Sequence, residues 1–106
     1  MKRILLIALL VGLASPAWAS YFKGNDLHKV CQSSSNEDVC SGYIMGIVDA
    51  TAWTKADIAF CVPKDSSLRQ ATDIVTKWLN ENPEHRHLSA AGLVITALTL
   101  AWPCPK

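Results

Sequence analysis

None of the common catalytic signatures is present in the 106 residues: there is no G-x-S-x-G nucleophile turn, no phosphate-cradling Gly-rich loop ahead of a helix and no H-E-x-x-H pair. The chain therefore reads as a non-enzyme with no cofactor and no metal. A surplus of charge of either sign is lacking too, with 10 Lys and Arg against 9 Asp and Glu. Nucleic acid and anionic lipid are poor partners for such a surface, because both are bound through a clear excess of positive side chains. Internal repeats and low-complexity linkers are absent, and the 5 Gly and 5 Pro fall where they punctuate a helical pattern rather than where they would break a β-meander. Beyond residue 19 the most apolar stretch, Leu88 to Trp102, is 15 residues long, short of the roughly 20 that span a bilayer.

The N-terminus holds the first positive feature. Lys2 and Arg3 precede an apolar run from Ile4 to Leu13, and Ala17-Trp18-Ala19 is a small-x-small cleavage site. Residues 1–19 are thus expected to be a cleaved signal peptide, with 20–106 as a single exported domain. No Cys stands at the cleavage site, so a lipid anchor is not expected. Loss of Lys2 and Arg3 leaves 8 basic against 9 acidic residues and a formal charge of −1. A domain of this size buries only about 60 to 65% of its unfolded surface, so crosslinks matter to its stability. Cys31, Cys40, Cys61 and Cys104 are even in number and would be carried to an oxidising compartment.

Periodicity predicts an all-α fold, a small disulfide-stapled bundle of four to five helices. Asn25 is expected to cap a first helix through Gln32, with Asp26 in its first turn and Leu27, Val30 and Cys31 on one side. Glu37 and Asp38 open a long helix toward Phe60 in which Val39, Cys40, Tyr43, Ile44, Ile47 and Val48 recur every three or four positions. At 1.5 Å per residue it would outrun a domain of this size, so a bend or break is expected near Gly46 to Thr54. Gly42, Gly46 and Ala50 form a ridge of small residues, read as a groove for another helix of the chain, with a homodimer seam as the alternative. Ser67 and Gln70 fit a capping box for the next helix, whose inner face is Leu68, Ala71, Val75, Trp78 and Leu79. The last helix runs from Leu88 to Ala101 with Leu93, Val94, Ala97, Leu98 and Ala101 inward. Trp53, Trp78 and Trp102 are placed in the core or at its edge.

Four cysteines allow three connectivities, and spacing alone does not choose among them. Antiparallel helices would bring Cys61 and Cys104 to one end of the bundle and leave Cys31 and Cys40 flanking a turn at the other. That layout favours Cys31 with Cys40 and Cys61 with Cys104. Zinc is a poor reading, because no close C-x2-C pair occurs.

The densest polar segment is Glu81-Asn82-Pro83-Glu84-His85-Arg86-His87. It is either an ordinary interhelical connection, with Asn82 as cap and Pro83 opening a turn, or a Pro-stiffened binding loop that presents donors and acceptors. Val62 to Asp65 and the serines at 33 to 35 make weaker cases.

Taken in order, Tyr21-x-x-Gly24-x-x-Leu27-x-x-x-Cys31, Cys40-x-Gly42-Tyr43-x-x-Gly46, Phe60-Cys61-x-Pro63, Gln70, Asn82-Pro83-Glu84, Ala97-Leu98 and Trp102-Pro103-Cys104-Pro105 resemble the Rap/Tai family of immunity proteins across nearly all of residues 21–105. The resemblance implies a periplasmic protein that neutralises a peptidoglycan-cleaving amidase delivered by type VI secretion. It further implies a homodimer that inserts a protruding loop into the active-site cleft of its cognate effector. Carried onto this chain, the loop is Asn82, Glu84, His85, Arg86 and His87, with Lys64, Asp65 and Ser66 as second choice. An acid-stress periplasmic chaperone, or an inhibitor of another periplasmic hydrolase, is the alternative for a small exported helical domain of this kind.

Overall fold

A computed structural model describes residues 21–54 and 60–105. The expected signal peptide and the course of the chain between Thr54 and Phe60 lie outside the described residues. The described residues form four α-helices, α1 (Gly24–Gln32), α2 (Glu37–Thr54), α3 (Leu68–Glu81) and α4 (Ala90–Ala101), with 3-10 turns at Ser34–Asn36 and Pro83–His85. Among the described residues there is no strand, only isolated bridges pairing Lys23 with Ser89 and Phe60 with Pro103. The all-α bundle is therefore as expected, and both disulfides adopt the favoured pairing. Cys31 and Cys40 lie 5.0 Å apart at Cα, Cys61 and Cys104 4.9 Å apart, within ordinary disulfide spacing.

Helix α1 starts earlier than the sequence suggests. Lys23, not Asn25, is the capping position, and the Lys23 N–H donates to Asp26 Oδ2 at 2.9 Å. The shift is tertiary in origin: the Gly24 N–H donates to the Leu88 carbonyl at 2.8 Å and the Asn25 N–H to the Arg86 carbonyl at 2.7 Å. These contacts fix where the chain turns into the helix. The same pairing trims α4, which begins at Ala90 with its N–H on the Phe22 carbonyl and leaves Leu88 exposed. At α3 the capping box forms as read, with Gln70 N–H on Ser67 Oγ at 3.2 Å and Ser67 N–H on Gln70 Oε1 at 2.7 Å.

Helix α2 is unbroken from Glu37 to Thr54, so no break falls within that span; the expected continuation toward Phe60 lies outside the described residues. Its 18 residues make a rod of about 27 Å, which a domain of this size accommodates without a kink. The ridge of Gly42, Gly46 and Ala50 is not a groove for another of the described helices. A Cβ added at Gly42 or Gly46 would meet nothing within 4 Å, and Gly46 and Ala50 are exposed. The inner face of α2 is instead Cys40 and Ile44, supported by Tyr43, Ile47 and Val48.

Leu27, Ile44, Val75, Leu79, Val94 and Leu98 are the largest fully buried side chains, and Phe60 joins them from the loop before α3. Val39 and Leu68, expected inward, are exposed, because each sits in the first turn of its helix beyond the reach of the core. Ala101, in the last turn of α4, is exposed for the same reason. Trp53 is 86% exposed, against the expectation of a core-edge position, whereas Trp78 and Trp102 pack on the core.

Candidate functional site

The segment joining α3 to α4 is a run of consecutive turns. Asn82 ends α3, and its side-chain Nδ2 donates back to the Trp78 carbonyl at 2.8 Å. Pro83 opens the 3-10 turn, whose ring supplies the fixed φ that position requires. His85 N–H then reaches the Asn82 carbonyl, Arg86 N–H the Pro83 carbonyl and Leu88 N–H the His85 carbonyl, at 3.2, 3.3 and 3.0 Å. These three bonds fold the segment back on itself.

Further contacts brace it on the bundle. Arg86 Nε donates to the Leu79 carbonyl at 2.9 Å, satisfying an acceptor near the end of α3, while the Arg86 carbonyl takes the Asn25 N–H of α1. The His85 ring lies on Trp78, centroids 5.9 Å apart and planes 20° from parallel. Its Nε2 is 3.6 Å from Glu84 Oε1. Glu84, His85 and His87 are exposed, and Arg86 is half-buried. Of the five loop residues picked from the sequence, Asn82 and Arg86 thus hold the loop, Glu84 and His87 face out, and His85 does both, exposed on one side and stacked on Trp78 on the other.

The second-choice segment sits at the opposite end of α3, about 21 Å away along a helix of 14 residues. Lys64 and Asp65 are exposed, while Ser66 folds back to donate through N–H and Oγ to the Pro63 carbonyl at 3.1 and 2.7 Å. An apolar groove of about 190 Å³ lies beside it, lined by Met45, Val48, Val62, Leu68 and Trp102. The serine run engages itself: Ser33 and Ser35 share a hydrogen bond at 2.9 Å, and Asn36 Nδ2 donates to Ser33 Oγ.

His28 is a further, half-buried polar residue, one that motif spacing does not mark. Its Nδ1 is buried and meets no hydrogen-bond partner among the described residues. Burial, and then the Arg86 guanidinium, push its pKa below the ordinary 6.5. The helical pattern places Gly24, His28 and Gln32 four apart on one face of α1 but does not say what that face meets. Gly24 meets the Leu88 carbonyl and Gln32 Nε2 donates to Asn80 Oδ1 at 3.0 Å, so this face looks onto the end of α3 and the loop beyond it. No three His, Cys, Asp or Glu side chains converge as a metal site among the described residues. No described helix is long and apolar enough to cross a membrane.

The family model of the Rap1a immunity proteins matches residues 23–104, which takes in all four helices, both disulfides and both loops. No curated protein and no solved structure matches the chain.

Proposed function

The chain belongs to the Rap1a immunity protein family, and from that premise we propose that it is exported to the periplasm to neutralise a peptidoglycan amidase delivered by type VI secretion. The Asn82–His87 loop enters the active-site cleft of the amidase and excludes substrate by occupancy; the protein performs no bond chemistry itself. The observation that carries this reading is the bracing of the loop at Trp78, Leu79 and Asn25, with Glu84, His85 and His87 left facing out. A loop ordered before binding loses little further conformational entropy on docking, and that favours tight obstruction. Family membership favours immunity over an acid-stress chaperone.

Calorimetric titration of the amidase against single alanine variants tests the loop. Glu84→Ala, His85→Ala and His87→Ala each weaken binding by about 1 to 3 kcal/mol without altering the fold, whereas Lys64→Ala and Asp65→Ala leave affinity unchanged. The reverse pattern moves the blocking role to the loop before α3. Affinity unmoved by any of the five removes both loops from the interface.

The reading extends to a homodimer through the outer face of α2. Gly42, Gly46 and Ala50 make that edge smooth, and Met45 and Trp53 stand exposed on the same helix, a composition suited to close helix packing with a second copy. Sedimentation equilibrium returning only the monomer mass at micromolar concentration would discard this part.

A further inference from the structure

We propose that His28 is an acid-released latch for the Asn82–Leu88 loop: protonating its ring puts a second positive charge beside Arg86 and frees the loop from the start of α1. The role of the loop in blocking a partner rests on the function proposed above; the latch itself rests on geometry. The loop is tied to α1 by two backbone hydrogen bonds, from Gly24 N–H to the Leu88 carbonyl and from Asn25 N–H to the Arg86 carbonyl. His28 follows Gly24 by one helical turn, on the same face. Its buried Nδ1 has no hydrogen-bond partner among the described residues. A neutral imidazole tolerates one unpaired nitrogen, whereas an imidazolium carries two N–H donors and a full charge, both of which need partners or water.

In the loop itself Glu84, His85 and His87 are exposed to solvent, and Lys23, just before α1, is half-buried. Helix α4 has no titratable residue in its sequence, and the ionisable groups of α2 (Glu37, Asp38, Asp49) and α3 (Arg69, Asp73, Lys77, Glu81) are exposed to solvent, as are Asp26 and Lys29 on α1 itself; Tyr43 of α2, half-buried, is neutral. The charge that acts on His28 is that of Arg86, with the same sign as an imidazolium.

The direction of the pH effect follows. With the loop docked, burial and Arg86 hold His28 below its ordinary 6.5; with the loop undocked and the ring wetted, it titrates near 6.5 as a free histidine does. Between those two values the undocked form binds more protons, so docking weakens as pH falls through 6.5 and is at full strength above it. A blocker that holds its loop this way lets go of its partner in mild acid.

Amide exchange on the purified protein tests the latch without any amidase, so its outcome is independent of the immunity assignment. Protection factors at Gly24 and Asn25 are expected to fall about tenfold between pH 7.5 and 5. In His28→Gln, which does not titrate, the same factors change by less than about twofold. Flat protection in the wild type overturns the proposal, and so does an undiminished fall in the variant, which would pass the effect to His85 or His87. Should His28→Gln not fold, the ring resonances of His28 in the wild type decide the matter. A midpoint below 6.5 that coincides with loss of protection supports the latch, and one at or above 6.5 overturns it.

Discussion

At Gly24 the missing side chain lets α1 and the loop after α3 touch through their backbones. A Cβ there would collide with the Leu93 side chain and stand 2.7 Å from the Arg86 carbonyl oxygen, and backbone atoms yield less readily than the tip of a flexible side chain. Gly24→Ala is therefore expected to destabilise the fold by about 1 to 3 kcal/mol, the usual penalty of overpacking, read as a lower urea midpoint with unchanged slope. Tyr43 is a second residue whose worth comes from one contact. Burial raises its pKa, and a hydrogen bond from the backbone of Ala91 opposes that rise, so its hydroxyl meets an N–H in the first turn of α4 that no helical carbonyl can reach. Tyr43→Phe keeps the ring on Phe22, centroids 5.0 Å apart, and loses that bond. Chemical denaturation should register a loss of about 1 kcal/mol. Neither contact was legible in the sequence, nor was the burial of His28 Nδ1. Each depends on which residue of a distant segment arrives opposite, and periodicity carries no such information.

Helices, by contrast, were legible wherever local chemistry decides their ends. Ser67 and Gln70 form their reciprocal box, and Ser67→Ala is expected to lower stability by about 1 kcal/mol, with helical content measured by circular dichroism melting earlier. Boundaries set by tertiary pairing were missed, as at Lys23 and Ala90. Helix α2 misled for another reason: it is apolar on more than one face, so spacing alone could not say which face turns inward. Gly46 is now placed on the outer one, where a Cβ meets nothing. Gly46→Ala should therefore raise the stability of the monomer by about 0.5 to 1 kcal/mol through helix propensity. If the proposed dimer packs along this edge, the same change weakens self-association, and sedimentation run beside the melt separates the two effects.

The bundle as a whole was the most legible level, since four antiparallel helices with two thiols at each end leave one comfortable way to pair them. The two crosslinks are unequal. Cys31 and Cys40 are 9 positions apart and Cys61 and Cys104 are 43 apart, which in the chain-entropy picture is worth about 3 and about 4 kcal/mol. Replacing Cys61 and Cys104 together by alanine should lower the melting temperature more than replacing Cys31 and Cys40, and differential scanning calorimetry ranks the pair. The polar loops were legible as candidates only. Composition marks Asn82–His87 as reactive to a partner, but which of its side chains turn out and which turn in is decided by Leu79, Trp78 and Asn25.

The span of the Cys61–Cys104 bond bears on how this molecule would survive attack. Everything from Val62 to Pro103, including both candidate loops, α3 and α4, lies between its two ends. A peptidase that clips the chain once anywhere in that interval leaves two pieces still joined by sulfur. On a gel run without reductant such a nicked molecule migrates at full mass, and only thiol treatment reveals the cut.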